Sequence, residues 1–233
     1  ARLHRWTRGD WQLLPWLIGR FGHTINSLSK WKIFDNLRRS LLPVALSLIL
    51  LFSFSRLPGS SMVWFGFIIF TICFSLIMST ISWFFGAGYR FIGQRCNATI
   101  IYGIKGVVYE AVLIFILMPY QAYITLDAVI RALYRMIFSK KKLLEWVTAA
   151  EAEKKYSDNL ISYYKRMFFS CVFAVALPLV STKDMALPIF LAALYLFSPL
   201  IMYYASRNTL KEEPVIKEKD KAFLLEIAKR TWQ

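Results

Sequence analysis

The sequence predicts an all-α membrane protein, in which four transmembrane helices form two hairpins and amphipathic helices lie at the interface. Hydrophobic residues make up 57% of its 233 residues, above the share of about one half that is usual in soluble domains. They are concentrated in windows without charged side chains, and outside those windows 29 Lys and Arg outnumber 14 Asp and Glu. A nucleic-acid-binding domain would instead spread its basic residues over one soluble face. We therefore expect the lipid bilayer, not nucleic acid, as a partner.

The charge-free windows give the positions of the membrane spans. Crossing roughly 30 Å of hydrocarbon at about 1.5 Å per residue takes close to 20 residues. Trp64 and Trp83 bracket the second window, as expected for aromatic residues at the membrane interface. With their flanking residues, the windows predict spans at about 40–57, 62–86, 163–182 and 185–206.

The segment 107–138 has a different pattern. It is interrupted by Pro119, and beyond that proline its apolar residues recur at helical spacing around Asp127, Arg131 and Arg135. An apolar face alternating with basic residues is typical of a helix that lies in the interface plane. The sequence therefore predicts an interfacial helix here, followed by a cytoplasmic loop at 139–162.

The distribution of basic residues predicts the topology. Residues 1–39 contain eight basic groups and residues 131–166 contain nine, whereas the loops 56–61 and 181–184 contain one each. The positive-inside rule places the two basic regions in the cytoplasm. Four spans satisfy this, with the membrane domain at 40–206 and both ends cytoplasmic. Residues 207–233 form a charged linker and then a helix from Lys221, the start of a further module.

The first eleven residues, ARLHRWTRGDW, carry a motif with clear chemistry. They resemble the Q-x-x-R-W-x-R-G element of membrane-embedded processive glycosyltransferases such as cellulose and hyaluronan synthases, with Arg2 in place of the glutamine. The resemblance implies that Arg5 and Arg8 bind the donor diphosphate, which suits the planar guanidinium fork, and that Trp6 stacks on the acceptor sugar. A basic, Trp-containing helix docked on lipid headgroups is the alternative for these residue types.

Longer stretches resemble the cyclic β-1,2-glucan synthase family. They are HRWTRGDWQLLPW, KWKIFDNLRRSLLPVA, KKKLLEWVTAAEAEK and DKAFLLEIAKRTWQ, in family order. The resemblance implies that 1–39 is the C-terminal edge, with an interfacial helix, of the cytoplasmic domain of an inverting, UDP-glucose-dependent glycosyltransferase in a bacterial inner membrane. Its partners are then UDP-glucose, the growing β-glucan and the rest of its own polypeptide. The catalytic carboxylates and a Mg²⁺ or Mn²⁺ ion are expected upstream, so no catalytic or metal-binding residue is assigned here and the isolated chain is expected to be inactive.

A second element is similar to the gating loop of cellulose synthases, which covers the nucleotide and carries F-x-V-T-x-K. Trp146, Val147 and Thr148 stand in the equivalent place, with the aromatic residue shifted by one and Ala150 in place of the lysine. The alternative is a solvated basic helix end held at the membrane by 140–142.

Two other functions stay open at this point. A linear-glycan synthase would thread its polymer through the membrane bundle and need not continue into a glycosidase-like module. A non-catalytic membrane anchor or channel would require the resemblance at the N-terminus to be fortuitous.

Overall fold

The computed structural model describes residues 2–18, 24–85, 96–141, 159–182, 185–206 and 218–232, and all regular structure in these ranges is helical. The chain divides into two compact units, Ala1–Tyr203 and Tyr204–Gln233. The first unit contains the predicted membrane bundle. Its helical architecture confirms the predicted fold class of an all-α membrane protein.

Three helices open the first unit: α1 (Arg2–Gln12), α2 (Leu14–Ile18) and α3 (Ser27–Ser53). Asn26 caps α3, and its side chain accepts a hydrogen bond of 2.8 Å from the Ser29 backbone N–H, which satisfies one of the free donors of the first turn. Asp35 pairs with Arg38 and Arg39 one turn later. The helix therefore begins well before residue 40 and ends at Ser53, whereas the predicted span runs over 40–57.

A tight turn and two long helices follow. Gly59 has a φ of 81°, a left-handed conformation that glycine adopts without steric cost, and α4 then runs over Ser61–Phe85, close to the predicted 62–86. The helix α5 (Cys96–Tyr134) contains Pro119 and continues into a π-helical turn at Arg135–Ser139. That turn is closed by Lys140, whose backbone N–H donates to the Arg135 carbonyl at 2.8 Å.

The last hairpin of the unit consists of α6 (Leu160–Arg166), α7 (Phe168–Val180) and α8 (Ala186–Ser206). The first two form one bent pair, with an angle of 64° between them at Met167. Their ranges agree with the predicted spans 163–182 and 185–206. The break at Met167 is a feature that the apolar pattern does not indicate.

The core of the bundle is apolar and draws on five helices. Fully buried side chains from α3, α4, α5, α7 and α8 meet in a single cluster, which includes Leu50, Ile68, Met118, Leu177 and Tyr195. The rings of Phe115 and Phe173 both contact that of Tyr195, at centroid distances of 5.9 and 5.7 Å. The cluster therefore fixes α5 inside the bundle, beside helices predicted to span the membrane.

The helix α5 runs antiparallel to α3. Phe115 of α5 contacts Phe65, in the first turns of α4, at 5.8 Å, and Ser61 at the start of α4 bonds the carbonyl of Ser53 at the end of α3. Asp127, further along α5, contacts instead the N-terminal helix α1, which is bonded to the first half of α3. The middle of α5 thus lies near the C-terminal end of α3, and the part of α5 around Asp127 lies near the first half of α3.

Within the described ranges, three helices are long and apolar enough to cross a membrane: Ser27–Ser53, Val108–Ser139 and Ala186–Ser206. A fourth crossing results if the bent pair Leu160–Arg166 and Phe168–Val180 forms one span. The segment that the sequence assigns to the interface, 107–138, therefore corresponds to one of these candidate spans. In the second unit, α9 (Glu218–Trp232) contains the helix predicted from Lys221.

Candidate functional site

The motif helix α1 has one packed face and one open face. His4, Thr7 and Trp11 are spaced by three and four residues, and Thr7 is buried. The opposite face is exposed and carries Arg2, Trp6, Gly9 and Leu13, again at helical spacing. Because residues three and four apart share one side of a helix, the motif separates into residues that attach α1 and residues that it presents.

The C-terminal end of α1 is bonded to α3. The indole N–H of Trp11 donates to Ser40 Oγ at 2.9 Å, and the side-chain amide of Asn36 donates to Asp10 Oδ1 at 3.4 Å. Ser40 Oγ in turn donates to the Leu37 carbonyl at 2.7 Å. The RGDW and DNLRRS stretches, separate in the sequence, therefore meet in the structure.

The N-terminal end of α1 is bonded to α5. His4 Nε2 lies 3.0 Å from Asp127 Oδ2, and Arg131 Nε lies 2.8 and 2.7 Å from the two oxygens of the same carboxylate. The neighbouring buried residues of α5 are Val129 and three smaller ones, Thr125, Ala128 and Ala132. Small side chains allow helices to approach closely, and α1 packs along α5.

The three predicted site residues follow His4 directly on α1. Trp6 is 59% exposed, and a Cβ added at Gly9, one turn further on, would meet no atom within 4 Å. Arg5 and Arg8 are half-buried and, three residues apart, lie on the same side of α1, between its exposed and its packed face. An open indole face can stack on a flat apolar surface such as that of a sugar ring, and guanidinium groups beside it can bind anionic oxygens.

Burial shifts the pKa of two groups that attach α1. The pKa of His4 is lowered, mainly because burial disfavours the imidazolium; the hydrogen bond with Asp127 opposes this, and the charges of Arg8 and Arg131 add to it. Burial also raises the pKa of the Asp10 carboxyl, partly offset by the hydrogen bond from Asn36. Near neutral pH, His4 is therefore a neutral imidazole.

The remaining predictions have different outcomes. Asp35 pairs with Arg38 and Arg39 at 2.7 and 3.1 Å, so it is a local helix partner. In the part of the chain that the structure describes, no three His, Cys, Asp or Glu side chains come together to hold a metal ion. Trp146, Val147 and Thr148 of the suggested gating loop lie outside the described residues.

Sequence reasoning missed the role of His4 and Asp127. The two residues are 123 positions apart, and local spacing cannot predict such a contact. The available signal was Asp127 itself, a carboxylate at the end of a charge-free window with Arg131 one turn later. An ionisable group beside an apolar run calls for a partner, but nothing in the sequence says which one.

Fold and site together define a helical membrane-type bundle that presents a basic, tryptophan-bearing helix at one end of its helices. The chain is similar over its whole length to the cyclic β-(1,2)-glucan synthase NdvB of Rhizobium meliloti (strain 1021), with 30% identity over 239 residues. This confirms the resemblance inferred from the motifs. The chain spans 8% of the length of that relative. No protein-family model matches the chain.

Proposed function

We propose that this chain is the C-terminal edge of a glycosyltransferase domain, joined to its membrane region, in a larger enzyme that builds cyclic β-1,2-glucan from UDP-glucose. The main support is the arrangement of α1, which is bonded at both ends to membrane-type helices and leaves Trp6 exposed, with Arg5 and Arg8 half-buried on the same helix. Similarity to a cyclic β-(1,2)-glucan synthase along the entire chain adds to it.

In this proposal, different residues of α1 bind the donor and the acceptor. Arg5 and Arg8 bind the diphosphate of the donor, since a guanidinium offers two parallel N–H donors to phosphate oxygens. Trp6 stacks on the acceptor end of the growing glucan. The catalytic carboxylates and the Mg²⁺ or Mn²⁺ ion belong to the rest of the polypeptide, and no described residue of this chain is assigned to them.

We also propose that α3, α5, the α6–α7 pair and α8 are the four membrane crossings, in a bacterial inner membrane. The antiparallel course of α5 beside α3 supports this choice, because a crossing that follows α3 must return to the first side. The topology places α1, the 139–162 loop and the tail in the cytoplasm, as the basic residues predict. It differs from the sequence-based topology in that α5, and not α4, is the second crossing.

The donor-binding role is tested with Arg5→Lys in the full-length protein. Lysine keeps the charge but loses the planar fork, so the KM for UDP-glucose should rise by about tenfold while the amount of inserted protein stays unchanged. Arg56→Lys, in the turn between α3 and α4, is the matched control and should have no effect. An unchanged KM in Arg5→Lys, or absence of any UDP-glucose turnover in the unmodified protein, would contradict the proposal.

The linear-glycan synthase is the second candidate function, and product analysis separates it from the first. Cyclic β-1,2-glucan has no reducing end, whereas a linear product retains one. A product of the full-length protein that reacts as a reducing sugar after complete synthesis would favour the linear alternative.

A further inference from the structure

The contact between His4 and Asp127 joins the motif helix to the bundle one residue before Arg5. A carboxylate can only accept hydrogen bonds, so His4 Nε2 carries the proton and donates to Asp127 Oδ2 over 3.0 Å. The side chains of His4 and Asp127 are 26% and 29% exposed. Both side chains are therefore largely screened from water. In such a partly buried place, a charge-assisted hydrogen bond is stronger than on an open surface.

The Asp127 carboxylate is itself held in place. Arg131 Nε contacts both of its oxygens, at 2.8 and 2.7 Å, from one turn further along α5. The carboxylate therefore has a fixed orientation when it accepts from His4. An acceptor fixed on a long packed helix sets the position of the donor that binds to it.

The other end of α1 has an independent attachment. Trp11 and Asp10 bond to Ser40 and Asn36 of α3, and Thr7 is buried between the two ends. Loss of the His4 contact therefore leaves α1 attached to the bundle at its C-terminal end. The expected consequence is a change in the placement of the residues next to His4, not detachment of the helix.

From this geometry we propose that Asp127 is a positioning residue for the glycosyl-transfer site: through His4 it sets the placement of Arg5 and Trp6 relative to the membrane helices. The inference rests on the proposed function, because it assigns those two side chains to donor and acceptor. It adds a residue of α5, distant in sequence from the motif, to the machinery that orients the donor-binding guanidinium.

The test uses the full-length protein and steady-state kinetics with UDP-glucose. Asp127→Ala and His4→Ala should each raise the donor KM by about tenfold with a smaller change in kcat. The double variant should have a donor KM no higher than that of either single variant, because each substitution alone already removes the contact between His4 and Asp127. His4→Gln, which keeps an N–H donor near the Nε2 position, should restore most of the affinity. Asp35→Asn is the matched control: it removes a carboxylate whose ion pairs, with Arg38 and Arg39, are within α3.

Several outcomes would overturn the proposal. Additive effects of the two alanine variants, an equal effect of Asp35→Asn, or a lowered melting temperature with unchanged kinetic constants would reduce the contact to a structural one. If Asp127→Ala does not insert into the membrane, His4→Ala and His4→Gln decide the question from α1. The outcome also separates the two proposals: a raised KM in Arg5→Lys with an unchanged KM in Asp127→Ala refutes only the positioning role.

Discussion

Replacing Trp6 by alanine is the most direct test of the acceptor-binding face. Trp6 is 59% exposed, which for an indole side chain of roughly 250 Å² leaves about 150 Å² in contact with solvent. A sugar ring that stacks on one side covers about half of it, and at about 25 cal/mol per Å² this contributes up to about 2 kcal/mol. We therefore expect Trp6→Ala to lower the polymerisation efficiency by about 5- to 30-fold.

The measurement is the rate of glucose incorporation and the length of the product in full-length protein reconstituted in vesicles. Trp31→Ala is the matched control, since Trp31 is 61% exposed and lies near the start of α3, away from the motif. Membrane insertion and melting temperature should be unchanged in both variants because each side chain is mostly exposed. The stacking role would be refuted if Trp6→Ala and Trp31→Ala had the same polymerisation rate.

Three further predictions follow from the fold. Tyr195→Phe should raise the free energy of unfolding by about 1–3 kcal/mol, because the buried Tyr195 hydroxyl has no partner among the described residues. The measurement is the melting temperature in detergent, which should rise; a lower melting temperature would show that this hydroxyl is bonded. Stability should fall as the pH drops from about 6.5 through the lowered pKa of His4, because protonation is disfavoured only in the folded state, and His4→Gln should flatten this part of a melting-temperature profile. The proposed topology can be tested with single cysteines in a background in which the native cysteines are replaced. Gly106→Cys and Thr182→Cys should react with an impermeant thiol reagent added to sealed spheroplasts, whereas Ser139→Cys should not. Protection of Gly106→Cys would instead support the topology in which α4 is the second crossing.

Charge-free windows were sufficient to predict most helices of the bundle. The window that predicts 62–86 corresponds to Ser61–Phe85, and the one that predicts 185–206 corresponds to Ala186–Ser206. The physical reason is that a run of about 20 apolar residues has few stable alternatives to a helix in a lipid environment. The N-terminal motif could also be identified from the sequence, because its residues lie close together, from His4 to Trp11.

Sequence could not determine which neighbour satisfies each polar group. The pattern around Asp127 and Arg131 predicts an amphipathic helix, and it is the same whether the polar face meets water or another helix. In the structure that face meets His4 of α1, and the apolar residues on the same helix near Met118 enter the bundle core. The placement of α5 therefore depends on contacts with distant segments of the chain, among them one between residues 123 positions apart.

The same limit applies to the candidate site. The sequence by itself determined the identity of the motif residues Arg5, Trp6 and Arg8, and the helical spacing that places Trp6 with Gly9. Only the tertiary structure decided that His4 and Trp11 attach this helix to α5 and α3, and hence which face stays open. Residue spacing fixes the faces of a helix, but the choice of the face that is buried depends on complementary donors and acceptors, which here lie on distant segments of the chain.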